Sequence, residues 1–271
     1  MPSKILNVGL IAFGLSGRYF HSPFLSTNPG FQRSKRLLKE VKMKAQEFDP
    51  SIGNARSVEE LLSDEEIDVV FICSPNASHF SYTAMDALEN GKHVVIEKPF
   101  AATEAEAKQL VELAKQKGLV LTAYQNRRWD SDFLTIKKLI AEDKLGDIVE
   151  YECRYDRFRP VVPTESWKEK KVDVGGNLYN LGPHLIDQAL VLFGEPKTVT
   201  AEVRSVRPNG EIDDYFDVRL GYDNKLIILK SSLMVYENHL RYQIHGSKGC
   251  FHQRRIGPSG KKLCVKMSCQ T

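Results

Sequence analysis

The sequence predicts an α/β protein, in which a parallel sheet in the first half is followed by an α+β domain with a large, mostly antiparallel open sheet. Three observations support this fold class. Short apolar runs alternate with helical patterns up to about residue 124, strands then follow one another directly, and 271 residues suffice for two domains with a core each. We therefore expect two domains, at residues 1–124 and 125–271.

Four apolar runs in the first half predict strands that are buried on both faces, because each run is short and ends at a turn. They cover residues 5–13, 68–73, 93–96 and 119–124. Helical patterns lie around them, at about residues 18–27, 57–63, 78–89 and 103–117. Thr103 with Glu106 forms a capping box, and Gly118 supplies a helix stop. Strands and helices that alternate in this way form a parallel sheet with right-handed crossovers.

The second half has a different pattern. Its predicted elements are a helix, a strand, a polar loop and a second helix, at about residues 133–142, 148–155, 157–174 and 180–193. Turn signals at residues 208–210 and 223–224 indicate hairpins among the strands that follow. Successive strands without intervening helices predict a largely antiparallel sheet.

The composition is typical of a globular protein, with 42% apolar and 27% charged residues. The net charge of +3 is small and its basic residues are spread along the chain, so no nucleic acid partner is expected. No apolar run approaches the ~20 residues of a membrane span, and no signal peptide is recognisable, so the expected compartment is the cytoplasm. The five cysteines include no Cys-x-x-Cys pair, which argues against disulfides and metal sites; Cys73 and Cys153 are expected to be buried.

A glycine-containing turn follows the first predicted strand, at Ala12-Phe13-Gly14-Leu15-Ser16-Gly17. A dinucleotide fingerprint has glycine at the first, third and sixth positions, so that backbone amides and the helix dipole meet the pyrophosphate. Gly14 and Gly17 match it, whereas Ala12 replaces the first glycine; alanine can make the turn if its φ stays negative. The place of the turn at the first strand favours a Rossmann-type cofactor site over the alternative, a plain strand–turn–helix.

A Rossmann unit needs a second strand next, and the sequence shows none. After Phe31, the residues Arg33, Ser34 and Lys35 open a predicted helix and leave no room for a strand. Either the fold lacks that strand or residues are missing from the sequence, and we favour the second explanation. The same three residues could hold a 2′-phosphate, which favours NADP over NAD; a solvated helical turn is the alternative.

Lys98 is the predicted proton carrier. It follows the strand at residues 93–96 within Glu97-Lys98-Pro99, at the end of the strand where open α/β sheets bind ligands. Partial desolvation near a positive nicotinamide ring would lower the pKa of Lys98 towards the working pH. Lys98 would then exchange a proton with a substrate hydroxyl while hydride moves. The peptide bond before Pro99 can be cis. A surface lysine is the alternative interpretation.

Asn180, His184 and Asp187 lie on one face of a predicted helix, at positions i, i+4 and i+7. This polar stripe beside apolar residues indicates a face that is turned into a pocket; a helix with one solvated stripe is the alternative. His184 is the predicted catalytic residue of the three, because imidazole titrates near neutrality.

These motifs together resemble the Gfo/Idh/MocA oxidoreductases. The shared pattern consists of Gly14-x-x-Gly17, Ser74-Pro75-Asn76-x-x-His79, Glu97-Lys98-Pro99 and Gly175-Gly176 followed by His184-x-x-Asp187. Residues 13–21 and 124–130 are similar to the scyllo-inositol-dehydrogenase-like branch, and the resemblance extends to about Gly249. It implies an N-terminal Rossmann domain, a C-terminal domain whose open sheet packs against another subunit, a homodimer or homotetramer, and reversible oxidation of a sugar or cyclic polyol by NAD or NADP.

The resemblance also implies roles for individual residues. Lys98 matches the catalytic lysine, and His184 matches the histidine that contacts the reacting hydroxyl. The motifs and the resemblance together predict that the cofactor is bound by Phe13, Gly14, Leu15, Ser16, Gly17, Arg33, Ser34, Lys35, Ser74, Pro75, Asn76, His79, Glu97, Lys98 and Asn126. The substrate pocket is expected to be bordered by Arg127, Trp129, Tyr155, Trp167, Asn180 and His184.

Two departures from the family pattern affect the prediction. Asn180 stands where relatives often carry an aspartate, and an amide cannot act as a base, so Lys98 and His184 have to move the proton alone. From Cys250 onwards the chain fits no expected terminal strand and helix, and it stops earlier than relatives do. The alternative function is a catalytically inactive NAD(P)-binding sensor or regulatory protein. The sequence leaves open which sugar or polyol is the substrate.

Overall fold

The computed structural model describes residues 4–38, 53–163, 169, 174–237 and 240–254, except for the side chains of residues 32–38 and of Ser81 and Tyr82. The chain divides into two compact units, Met1–Tyr124 and Gln125–Thr271. None of the described helices is long and apolar enough to cross a membrane.

The first unit contains a six-stranded parallel sheet. Its strands are Leu6–Ile11 (β1), Phe31–Leu38 (β2), Asn54–Ala55 (β3), Val69–Ile72 (β4), His93–Ile96 (β5) and Leu121–Ala123 (β6). They are arranged in the order β3-β2-β1-β4-β5-β6, and all neighbours run parallel. The four strands predicted from apolar runs are confirmed. The strand order reverses between β1 and β4, and this is the point at which open α/β sheets bind their ligands.

Within the described part of this unit, four α-helices connect the strands, namely Ser22–Thr27 (α1), Val58–Leu62 (α2), Met85–Glu89 (α3) and Glu104–Lys117 (α4). π-Helical turns at Gly17–His21 and Phe80–Ala84 precede α1 and α3. The predicted capping box is present, because the Thr103 hydroxyl accepts from the Glu106 amide while the Glu106 carboxylate accepts from the Thr103 amide. Gly118 ends α4 in the left-handed conformation, with φ of 66°.

The prediction that the second strand is absent is wrong, and so is the helix predicted to open at Arg33-Ser34-Lys35. These three residues lie inside β2, which pairs with β1 from Leu6 opposite Phe31 to Leu10 opposite Leu37. The register shifts between Asn7 and Gly9. Backbone hydrogen bonds to β1 and β3 form this strand although its sequence is polar and charged, so tertiary pairing overrides the local pattern.

The described residues of the second unit form two α-helices and a second six-stranded sheet. The helices are Ser131–Ala141 (α5) and Gly176–Phe193 (α6), and the strands are Ile148–Arg154 (β7), Thr198–Arg204 (β8), Tyr215–Gly221 (β9), Leu226–Ser232 (β10), Leu240–Gly246 (β11) and Cys250–Arg254 (β12). The sheet order is β12-β11-β7-β10-β9-β8. Only the β7–β10 pair is parallel among these neighbours, so the predicted antiparallel sheet and both hairpins are confirmed.

Two predictions for this unit need correction. α6 begins at Gly176, four residues before the predicted start at Asn180. The segment from Cys250 does form a strand, because β12 pairs antiparallel with β11, with His245 opposite Cys250. Cys264 and Cys269 lie outside the described residues.

The cores explain why the units fold. In the second unit, Ile136 of α5 and Leu185 of α6 are fully buried against inward side chains of the sheet such as Phe216. Each such side chain contributes about 1.5–3 kcal/mol by leaving water. Cys153 is fully buried in this core, and Cys73 is buried in the first unit, as predicted. Burial raises the pKa of Cys153 to about 11, so its thiol is chemically inert at neutral pH.

Candidate active site

The turn after β1 has the geometry of a dinucleotide-binding loop. Gly17 packs tightly, because a Cβ at this position would lie 2.7 Å from the Ala12 carbonyl oxygen. A Cβ on Gly14 would meet nothing within 4 Å. The backbone therefore leaves open space at Gly14, where the fingerprint requires close approach of a pyrophosphate. The residues of this turn thus fit the cofactor.

The expectation that Ala12 has a negative φ is wrong. Its φ is +67°, in the left-handed region, and not negative. The turn therefore needs the conformation that the first fingerprint glycine normally supplies, and alanine adopts it at a cost of roughly 1–2 kcal/mol. Ala12 is buried, so its methyl group recovers part of this cost by packing.

Glu97 links this turn to Lys98. The Ser16 hydroxyl donates to Oε1 of Glu97, and Nε2 of His21 lies 2.8 Å from the same oxygen. The backbone amide of Lys98 donates to Oε2 at 3.2 Å. The His21 ring is itself fixed against Tyr124, with 4.1 Å between ring centroids. The buried carboxylate thus connects the end of β1 with the segment that follows β5.

The same contacts determine the ionisation of Glu97. Burial would raise the pKa of its carboxyl group, but the hydrogen bonds from His21 and Ser16 outweigh burial and hold the pKa below the ordinary glutamate value. A carboxyl group whose pKa is lowered by folding stabilises the protein above its unfolded pKa, and the stabilisation is lost as the pH falls through the folded pKa. Glu97 is therefore a carboxylate at neutral pH.

We expect Glu97→Gln to lower the free energy of unfolding at neutral pH by about 1–3 kcal/mol, since a charged hydrogen-bonding partner is lost from a buried cluster. The deficit relative to wild type shrinks as the pH falls below about 4, where the wild-type carboxylate also takes up a proton. Urea unfolding between neutral pH and pH ~3 measures both effects. Glu89→Gln, at an exposed position on α3, is the control. A deficit that does not change with pH would contradict this account.

The His79 side chain makes contacts that the sequence did not reveal, and its place beside the cofactor stays a prediction. Its ring is buried, and both ring nitrogens lie against backbone carbonyl oxygens: Nδ1 is 2.8 Å from Pro99 O and Nε2 is 2.9 Å from Ser74 O. Its side chain therefore ties the segment after β4 to the segment after β5. The predicted residues Pro75 and Asn76 follow Ser74 at this same edge of the sheet.

Lys98 lies at the carboxyl end of β5 and is half-buried. The cis peptide bond expected before Pro99 is present. Lys98 is thus held on both sides, by Glu97 through its backbone amide and by the contact of the Pro99 carbonyl with His79. By contrast, Arg33, Ser34 and Lys35 lie in the middle of β2. Residues 39–52, which follow the carboxyl end of β2 at Leu38, are outside the described residues.

In the second unit, α6 carries the predicted polar stripe. His184 is buried, with 7% of its surface exposed, and Asn180 is half-buried. Asp187 forms a bidentate ion pair with Arg128. Nε of Arg128 donates to Oδ2 of Asp187 at 2.7 Å, and Nη2 donates to Oδ1 at 2.5 Å. Asp187 thus has a structural partner, and His184 is the titratable group of the stripe with the more protected position.

The turn at Asn126–Trp129 packs against the same helix. Nε2 of Gln188, one turn after His184, donates to the Arg127 carbonyl at 2.8 Å, and the Tyr242 hydroxyl donates to Oε1 of Gln188 at 3.0 Å. The backbone of Arg127, a predicted pocket residue, is therefore fixed relative to α6, and Asn126, a predicted cofactor residue, lies in the same turn. Trp129 is 75% exposed.

Tyr155 lies beneath a cluster of guanidinium groups. Arg241 stacks on its ring, with Cζ 3.7 Å from the centroid, and Cζ of Arg127 is 5.7 Å away. Arg241 is buried and donates to the Arg154 carbonyl at 2.9 Å. Trp167, another predicted pocket residue, lies outside the described residues. Among described side chains, no three His, Cys, Asp or Glu residues form a cluster that could hold a metal ion.

Sequence reasoning missed three residues that support these positions. His21 binds Glu97, Arg241 stacks on Tyr155, and Asp213 binds the start of α6. Their partners are distant in the chain, so no spacing pattern connects them. The sequence signals were the family-like segment 13–21, which includes His21, and Gly176, which faces Asp213 in the structure.

Comparisons with known proteins support the fold described above. Residues 6–125 match an oxidoreductase family with an NAD-binding Rossmann fold, and residues 133–252 match the GFO/IDH/MocA C-terminal domain. The scyllo-inositol 2-dehydrogenase (NADP+) IolW of Bacillus subtilis is 43% identical over 246 residues, which cover 91% of this chain and 68% of that protein. The D-glucoside 3-dehydrogenase of Escherichia coli is 28% identical over 213 residues, which cover 78% and 60%. Among solved structures, the oxidoreductase yvaA of Bacillus subtilis superimposes with a TM-score of 0.89 at 40% identity, covering 93% of this chain and 71% of that one.

Proposed function

The chain belongs to the GFO/IDH/MocA family of NAD(P)-dependent oxidoreductases, and on this basis we propose that it transfers a hydride between the nicotinamide and a secondary alcohol or ketone of an inositol-like polyol or a sugar. The observation that carries the proposal is the arrangement at the carboxyl edge of the first sheet. There, the open backbone at Gly14 and the Lys98 segment are joined through Glu97. The named activities among the relatives cited above are dehydrogenases, which gives the inactive sensor no support.

In the proposed mechanism, the bound nicotinamide supplies the hydride acceptor or donor. The turn amides and Gly14 would hold the pyrophosphate, and Ser74, Pro75 and Asn76 would border the dinucleotide. Lys98 Nζ accepts the hydroxyl proton during oxidation and returns it during reduction. His184 hydrogen-bonds the reacting oxygen and shares the proton transfer. Asn180 orients a neighbouring hydroxyl, since an amide forms hydrogen bonds but takes no proton at neutral pH.

We propose NADP as the favoured cofactor, with NAD as the alternative. IolW is named as an NADP+ enzyme, and Arg33 with Lys35 adds positive charge to the strand next to β1. A 2′-phosphate is bound by such residues when they reach the adenosine ribose. The measured ratio of kcat/KM for NADPH and NADH decides between the two cofactors.

The assembly and compartment are further parts of the proposal. α5 and α6 pack on one face of the second sheet, and we expect a homodimer or homotetramer to form through the other face. Its half-buried charged side chains include Glu152, Asp217 and Lys230. Light scattering after size-exclusion chromatography tests this expectation. The buried thiols of Cys73 and Cys153 fit a reducing compartment such as the cytoplasm.

The decisive experiment for the function is a turnover assay with NADPH and NADH against a panel of inososes, keto sugars and glucosides. We expect oxidation of the reduced cofactor with at least one cyclic ketone, and the reverse reaction with the matching polyol. If the protein binds the cofactor but turns over no member of the panel, this result would contradict the proposed dehydrogenase function and support the inactive NAD(P)-binding sensor. A fluorescence titration with NADPH and NADH measures cofactor binding itself, and so identifies a protein that is inactive because it binds no dinucleotide.

A further inference from the structure

α6, the helix that carries His184, begins without a capping side chain of its own. Its N-cap residue is Gly175, which has no side chain to accept a hydrogen bond. The first amides of a helix have no partners within the helix and need acceptors from elsewhere. The start of α6 is therefore positioned by groups from another part of the chain.

Asp213 supplies those acceptors. Its carboxylate Oδ2 accepts from the Leu178 amide at 2.7 Å, and its backbone carbonyl accepts from the Asn177 amide at 2.8 Å. Asp213 lies 35 residues after Leu178, in the segment that leads into β9. A negative charge at this end of the helix is also favourable to the helix dipole. The contact thus ties α6 to the sheet at a defined position along the helix axis.

Gly176 makes this contact possible. Its φ is +82°, and a Cβ at this position would lie 1.8 Å from Oδ1 of Asp213. No side chain fits there while the carboxylate stays in place. Steric exclusion by the Asp213 carboxylate thus explains why the chain has glycine at the start of α6.

The rest of the helix shows why the anchor matters for His184. Pro183, directly before His184, lies inside α6 and removes one backbone hydrogen bond from the helix. The first turns of α6 therefore depend more on contacts from outside the helix to keep their place. On the sheet side, Nδ2 of Asn177 donates to Ser231 Oγ at 2.8 Å, and Ser231 donates to the Tyr155 carbonyl at 2.7 Å. Asp213 and Ser231 together hold the first turn, on the N-terminal side of Pro183.

We propose that Asp213 is a positioning residue for the reaction: by capping α6 it sets the place of Asn180 and His184 relative to the substrate. This proposal rests on the proposed function of His184. Asp213 acts through the helix and touches no reacting atom. A misplacement of about 1 Å can lower the rate as much as 10²-fold, so a cap of this kind has catalytic consequences beyond stability.

The test compares Asp213→Ala, Asp213→Asn and a control, Asp223→Ala, which removes an exposed carboxylate from the same unit. We expect Asp213→Ala to lower kcat about tenfold or more while the dissociation constant of NADPH stays within about twofold, because the dinucleotide turn belongs to the other unit. Asp213→Asn restores most of kcat, since its amide oxygen still accepts from the Leu178 amide. The ring-nitrogen NMR signals of His184 shift in Asp213→Ala and stay unchanged in Asp223→Ala.

Three outcomes would overturn the proposal: a folded Asp213→Ala variant with wild-type kcat, unchanged His184 signals in that variant, or equal losses in Asp213→Asn and Asp213→Ala. If Asp213→Ala does not fold, Asp213→Glu replaces it, because its longer side chain keeps the charge but displaces the carboxylate from Gly176; wild-type kcat in this variant would also overturn the proposal. Failure of the proposed function is recognised separately, as a wild-type protein that turns over no substrate, and the His184 signals still test the positioning in that case.

Discussion

Lys98→Ala lowers kcat by at least a hundredfold while the protein still binds the reduced cofactor. General acid–base catalysis by a positioned side chain contributes about 10²–10⁴-fold, and alanine has no group that moves a proton. The fold survives the change, because Lys98 is half-buried at the end of β5 and its backbone amide still donates to Glu97. Steady-state kinetics with the best substrate of the panel, together with a fluorescence titration of NADPH, measure both quantities.

Lys98→Arg distinguishes proton transfer from the mere presence of positive charge. Arginine keeps the charge and a long side chain but stays protonated throughout the accessible pH range, so it cannot act as a base. We expect Lys98→Arg to be nearly as inactive in alcohol oxidation as Lys98→Ala. Wild-type kcat in Lys98→Arg would show that charge alone suffices, and wild-type kcat in Lys98→Ala would remove Lys98 from the mechanism.

Gly14→Ala and Gly17→Ala, two changes in the same turn, have different expected effects: the first weakens cofactor binding and the second lowers stability. Gly17→Ala destabilises the protein by roughly 1–3 kcal/mol, because the new Cβ would lie 2.7 Å from the backbone oxygen of Ala12. Gly14→Ala leaves stability within about 1 kcal/mol, since nothing lies within 4 Å of its Cβ. That methyl group instead occupies the space proposed for the pyrophosphate, so the dissociation constant of NADPH rises at least about tenfold.

Urea unfolding and NADPH titration of both variants test this pair of effects. Each variant serves as the control for the other, because both add one methyl group to the same loop. A Gly14→Ala variant that binds NADPH as tightly as wild type would contradict the placement of the cofactor at this turn. A Gly17→Ala variant of wild-type stability would contradict the tight packing of the turn against Ala12.

The fold was predictable where local pattern and tertiary structure agree. The apolar runs that form β1, β4, β5 and β6 are recognisable because strands of a parallel sheet are buried on both faces. The capping box of α4 is also local and was predicted correctly. β2 was missed because its residues, from Phe31 to Leu38, show no strand pattern and are held by pairing with β1 and β3.

The candidate site was predictable to a smaller extent. Motif residues such as Gly14, Lys98 and His184 could be named, because their chemistry and their places at element ends are visible in the sequence. The start of α6 was predicted too late, since its cap comes from Asp213, which is distant in the chain. The sequence also did not show that both ring nitrogens of His79 lie against backbone carbonyl oxygens. Such contacts depend on the folded backbone.

Hydride transfer itself is tested most directly with NADPH that carries deuterium at the transferred position of the nicotinamide ring. The protein is incubated with this cofactor and the inosose or keto sugar that gives turnover, and the alcohol product is analysed by mass spectrometry and NMR. We predict deuterium bound to the carbon that bears the new hydroxyl group. Cofactor oxidation that leaves this carbon without deuterium would contradict the proposed function.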